Sequence, residues 1–341
     1  MKKKRIVLAV FCLTAGITIT GCKETENQKL VKDSRKEVLQ IYDADDKLFD
    51  AENHALATLT DVYTSDYTVE DWVVTDVKEP AGIVCRDNEV IISDRKNDCL
   101  IKADYDGNVL KKIGQTGSGK SEFLSPGAIA EYDNEVYVID QGNNRVQVFD
   151  TDLSYVREVK LKDKTKSDPH FEPNRISVNH EGLYVTSLLL SDEGAVDNYM
   201  DGQSKEAGKN FIGTSSRYNN NIYLINSMVR YYDKKEDSFG ARGGGPEWLI
   251  KIKNDTIEKV CELPQGLYIT DFALDDKGIV CLSGSGEGVY RLNWQGEYVE
   301  TFAYIKGLND ELVPQLSITK EQEHYIAMPE AGKIVKCYKS N

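Results

Sequence analysis

The stretch GQTGSGKSEFLSPGAIAEYDNEVYVIDQGNNRVQVFD, Gly114 to Asp150, decides how the chain is read. A glycine-rich connection ends at Pro126, and an inner strand follows near Ala128 to Glu131. A second apolar run, Val136 to Asp140, comes after a polar turn, and a third, Val146 to Phe149, after Gly142, Asn143, Asn144 and Arg145. Short strands separated by turn residues within about forty positions describe one antiparallel four-stranded sheet of the kind that repeats in a propeller.

The same stretch spells a phosphate-binding loop, since Gly114, Gly119, Lys120 and Ser121 satisfy a glycine, four residues, then Gly-Lys-Ser. Such a loop works by converging backbone amides and a helix N-terminus on the phosphates, so a helix must begin at Lys120. Pro126 and Gly127 follow too soon for one, and the next residues read as strands. Asp140 sits on the next hairpin rather than where a magnesium-binding aspartate belongs. No NTP is expected to bind.

Phe123, Pro126, Tyr137, Val138, Asp140, Gly142, Asn143, Asn144, Arg145, Val146, Gln147, Val148, Phe149 and Asp150 together resemble the NHL repeat, a propeller blade. The resemblance implies an all-β, six-bladed propeller of four-stranded antiparallel blades. It also implies that Asp140, Asn143, Asn144 and Arg145, with Asp94 and Asn97 one repeat earlier, are hydrogen-bonding struts of the second turn.

The repeat itself is visible in the chain. A gapless offset of 46 residues lays Pro80 on Pro126, Ile83 on Ile129, Asp87 on Asp133, Asp94 on Asp140, Asn97 on Asn143 and Asp104 on Asp150. Later second strands start at Leu183, Ile222, Ile279 and Tyr325, at spacings of 47, 39, 57 and 46 after Val136. These counts predict six blades in one domain over 69–341. The last blade ends too early for a fourth strand, so the apolar stretch 72–77 is expected to complete it and to pin the two ends of the domain together.

Ahead of the domain, Lys2 to Arg5 form a basic region and Ile6 to Ile19 an apolar one, followed by Ile19-Thr20-Gly21-Cys22. This resembles a bacterial lipoprotein signal, which implies removal of 1–21, a lipid on Cys22 and a polar tether over 22–68. The expected localisation is extracytoplasmic, with the membrane reached through the N-terminal lipid alone. Loss of the four basic residues leaves 38 basic against 56 acidic residues. That balance argues against nucleic acid as a partner. Of the seven cysteines, Cys85, Cys99, Cys261, Cys281 and Cys337 lie in the domain without zinc-site spacing. Cys85 with Cys99 is the pair whose disulfide is worth testing.

Departures from the 46-residue spacing mark 188–210 and 227–246 as insertions between second and third strands, on the face where propellers build sites. The first carries Tyr199 and Met200, the second Arg230, Tyr231, Tyr232 and Arg242 ahead of three glycines. Aromatic residues beside arginine suit a contact surface, for a protein or a small ligand on the top face. The four histidines, His54, His170, His180 and His324, are too scattered to share one metal. No cofactor is predicted, and no catalytic residue is assigned. A calcium ion held by carboxylates and asparagines stays open, and with it the alternative of a lactonase-like hydrolase at the central channel. The favoured reading is a binding or scaffolding module rather than an enzyme.

Overall fold

A computed structural model describes residues 67–162, 173–186, 195–200, 203–209, 213–226, 229–233, 238–242, 247–253, 256–264, 267–284 and 287–339. Six four-stranded antiparallel sheets account for all but one hairpin of its strands. Blade one comprises Pro80–Cys85, Val90–Asp94, Cys99–Ala103 and Val109–Ile113, and blade two Pro126–Tyr132, Glu135–Asp140, Arg145–Asp150 and Tyr155–Lys160. Blade three is Arg175–Asn179, Gly182–Thr186, Ala195–Met200 and Gln203–Lys209. Blade four is Gly213–Tyr218, Asn221–Asn226, Glu247–Lys253 and Thr256–Leu263, and blade five Ile269–Asp275, Gly278–Ser283, Gly288–Leu292 and Tyr298–Tyr304. Blade six takes Gln315–Ile318, His324–Met328 and Lys333–Lys339 from the end of the domain and Tyr67–Trp72 from its start.

The unbroken apolar runs of the second strands follow from this arrangement. Successive side chains leave a strand on opposite faces, and both faces of each blade meet a neighbour. Val90 and Ile92 therefore pack with Tyr325 and Ala327 of blade six, whereas Ile91 between them joins Val136, Val138 and Phe149 of blade two. Tyr137 and Ile139 turn the other way, toward Ile176, Val178 and Val185 of blade three. Each fully buried Val, Ile or Leu adds roughly 1.5–3 kcal/mol. Fourth strands are the outer edges, and that of blade one exposes Val109 and Leu110 beside Lys111 and Lys112, charges that discourage edge-to-edge pairing.

Two expectations are corrected. The closing strand is Tyr67–Trp72, paired from Tyr67 with Lys339 to Trp72 with Ile334, rather than the 72–77 stretch. Asp76 takes a left-handed φ of 66° in the turn that follows, so only Trp72 of that stretch belongs to the ladder, and Tyr67 and Thr68 belong to the blade instead of the tether. Residues 188–210 are not a site-building insertion, because 195–200 and 203–209 are the third and fourth strands of blade three and Tyr199 is buried in an inter-blade core. Cys85 lies opposite Val90 and Cys99 opposite Asp94, at the two ends of the second strand between them, and both thiols are free.

Candidate functional site

The second turn of blade two is a knot of hydrogen bonds around Asp140, a fully buried carboxylate. It accepts from Leu124 N at 2.8 Å, Arg145 Nε at 2.8 Å, Asn143 Nδ2 at 2.9 Å and Gln147 Nε2 at 3.2 Å. Arg145 donates onward to the carbonyls of Gly119 (2.7 Å) and Glu122 (2.9 Å) and pairs with Glu158 at 2.7 Å. Asn144 takes a left-handed φ of 52° and donates to Lys162 O. Asp94 repeats the device in blade one, accepting from Lys78 N, Glu79 N and Asn97 Nδ2.

The phosphate-like loop beside this knot is closed by its own acid. Between Gly114 and Phe123 the chain has no helix, and the Glu122 carboxylate folds back onto Gly119 N at 2.8 Å and Gln115 Nε2 at 2.9 Å. An internal acid thus occupies the position a phosphate would need.

Around the central channel each first strand presents an unpaired edge, whose backbone groups need partners. Ile83 N and Ile129 N both donate to Gln315 Oε1, at 3.2 and 3.1 Å, and Gln315 Nε2 donates to Ile129 O at 2.7 Å. Asp271 accepts from Leu316 N and Thr214 Oγ1, each at 2.7 Å, and from Arg175 Nε at 3.3 Å. Arg175 also donates to Pro314 O. Side chains from blades three, five and six therefore form a buried layer that bridges the channel. A charge placed in such a strand must find a partner when buried, and the polar residue inside an apolar pattern is the one sequence signal that could have found Arg175 and Asp271.

On one side of this layer the channel widens into a cavity of about 820 Å³, rimmed by the first-to-second turns of several blades. Its wall includes Arg86, which pairs with Glu131 at 3.3 Å and with Glu89 at 2.9 Å. Burial holds the Glu131 carboxyl above the usual carboxylate range, against the pull of Arg86 and Arg217. Arg217 reaches from blade four across the mouth to blade two, its guanidinium 5.3 Å from the centre of the Tyr132 ring. Cys85 also lines the cavity, but burial pushes its thiol up to about 12, so it is no nucleophile at neutral pH.

The opposite face carries the other candidate. Val229–Asp233 and Ser238–Arg242 form a hairpin between the second and third strands of blade four, a two-stranded sheet separate from the blades. Its register sets Val229 against Arg242, Arg230 against Ala241, Tyr231 against Gly240 and Tyr232 against Phe239. The side chains of Arg230, Tyr231, Tyr232 and Arg242 lie outside the described residues, as do Cys22, His54 and His170. His180 is at a surface turn beside Asn220, whereas His324 is buried in blade six. Among the described residues no three His, Cys, Asp or Glu side chains are placed to hold one metal ion. Both oxygens of Asp271 accept the hydrogen bonds given above.

No curated protein sequence matches the chain. Among solved structures it is similar to a streptogramin B lyase, with a TM-score of 0.53 and 13% identity over 80% of this chain and 98% of that one. A protein assigned as a gluconolactonase gives 0.52 and 10% over 83% and 95%. A Bacteroides thetaiotaomicron protein of unknown function gives 0.50 and 15% over 80% and 72%. At these identities the likeness is one of fold. Residues 68–263, more than half of the chain, match the model of the 6-bladed beta-propeller family DUF5128, and the chain belongs to that family.

Proposed function

We propose that the protein is an extracytoplasmic binding or scaffolding module of NHL type, anchored to a bacterial membrane, at the cell surface or the periplasmic face, by a lipid on Cys22. The observation that carries the reading is the Arg175, Asp271 and Gln315 layer: the polar groups a channel enzyme would use are spent on holding the blades together. A lyase and a gluconolactonase share the fold, and fold alone transfers neither activity. The hydrolase alternative lacks a ligand set among the described residues.

The contact surface in this reading is the extra hairpin, with Arg230, Tyr231, Tyr232 and Arg242 as its anchors. Its two strands form a sheet of their own, separate from the blades' ladders. The mature chain with Cys22→Ser should appear in the soluble fraction where the wild type sediments with membranes, and a variant that still sediments would refute the anchor. With that soluble chain as bait on envelope extracts, replacing the four hairpin residues by alanine should abolish partner capture at an unchanged melting temperature. Undiminished capture would remove the hairpin from the proposal.

A further inference from the structure

The cavity on the other face carries a second, independent feature. Among the described residues Arg86, Arg95, Arg145, Arg157, Arg175 and Arg291 are each ion-paired with a carboxylate. Arg217 forms no such pair among them, although it lines the cavity mouth. The bond recorded for its fork is a long one, from Nη2 to the backbone oxygen of Glu131 at 3.4 Å. The Glu131 carboxylate turns instead to Arg86. Its Cζ lies 5.3 Å from the centre of the Tyr132 ring, a cation–π contact, and no carboxylate among the described residues pairs with its fork, a geometry suited to a planar, two-oxygen partner.

The surroundings favour a small, hydroxylated ligand. The buried layer of Arg175, Asp271 and Gln315 closes the cavity floor, so a molecule entering it stops there rather than passing through. Ser177 and Ser215, bonded to each other at 2.8 Å, lie in the wall with the asparagines of two rim turns, Asn88 and Asn134. Hydroxyl and amide groups of this kind can exchange hydrogen bonds with a polyol, and a volume of about 820 Å³ falls in the usual range for small-molecule sites.

We propose that this cavity binds a small polyhydroxylated anion and that Arg217 grips its carboxylate or phosphate group. The site faces away from the hairpin and stands or falls independently of it.

Calorimetric titration of the soluble mature chain with D-glucuronate, D-glucose 6-phosphate and neutral D-glucose tests it. Both acids, or one of them, should bind at least about tenfold more tightly than glucose, and the tighter acid identifies the head group as carboxylate or phosphate. Arg217→Gln should remove that preference, and Arg217→Lys, which keeps the charge but not the fork, should recover part of it. Arg157→Gln, an exposed arginine on the outer strand of blade two, should leave it intact. Equal affinity for acids and glucose, an unaltered preference in Arg217→Gln, or no binding of either acid would each overturn the proposal. Exposure of Arg217 makes the variants expected to fold, which a melting curve verifies.

Discussion

A histidine enclosed by aromatic rings with neither nitrogen paired is held in its neutral form, and His324 is in that position. It is fully buried at the start of the second strand of blade six, and neither ring nitrogen has a hydrogen-bond partner among the described residues. Phe302 meets its ring edge-on at 4.3 Å and Tyr67 lies stacked at 6.2 Å. Burial drives its pKa down from 6.5 to about 3, and the nearby Arg291 cation adds to the effect while Asp275 opposes it. In the unfolded chain the same imidazole takes up its proton near pH 6.5. The native state therefore binds fewer protons between pH 6.5 and 3, and stability present above pH 6.5 is lost as pH falls, at a limiting slope of about 1.4 kcal/mol per pH unit. His324→Leu removes both the titration and an unpaired buried N–H, which costs about 1–3 kcal/mol. Its melting temperature should match or exceed the wild type at pH 7.5, with the gap widening down to pH 4. Parallel curves for the two proteins would show that His324 is not buried as described.

At the scale of the element, the blade is where sequence and structure agree most closely, because its determinants are local. Turn residues, short apolar runs and an acid at the end of the second run all fall within about forty positions, and the resemblance they carry marks Asp140 with Asn143 and Arg145 as struts before any contact is seen. All six second-strand starts inferred from spacing fall within the observed second strands. What stayed hidden is held together across the ring. Gln315 meets Ile129 and Ile83 over sequence separations of 186 and 232 residues, and Arg175 meets Asp271 over 96. No local pattern encodes such a meeting, since it exists only once the ring has closed. Blade three shows the opposite error: its third and fourth strands, Ala195–Met200 and Gln203–Lys209, carry acids, amides and small residues in place of an apolar run, so composition pointed to a loop. Strand pairing there is set by the neighbouring ladder more than by propensity.

For the molecule as a whole, the decisive event is closure of the ring by a strand from the far end of the domain. Tyr67–Trp72 runs antiparallel to Lys333–Lys339 and supplies the fourth strand of blade six. The register places Tyr67 beside Lys339, on the side of the first-to-second turns, so the chain enters on the cavity side and the blade-four hairpin lies on the other. The strand is fastened at both ends. Tyr67 packs against Phe302 of blade five at 5.1 Å, and Trp72 stands edge-on to Tyr325 at 5.1 Å while donating Nε1 to Tyr105 O of blade one at 3.0 Å. Without it, the third strand of blade six becomes an open edge, and blades five, six and one lose a shared clasp. Trp72→Ala alone should cost about 3–5 kcal/mol, the usual range for a buried tryptophan. Removing the whole strand should cost more, because the ladder and both aromatic contacts go together. A chain beginning at residue 73 is therefore expected to melt well below one beginning at residue 66 and to self-associate through the exposed edge, read by calorimetry and sedimentation. If the shorter chain melts at the same temperature and stays monomeric, the ring does not depend on its N-terminal strand and another element must close it.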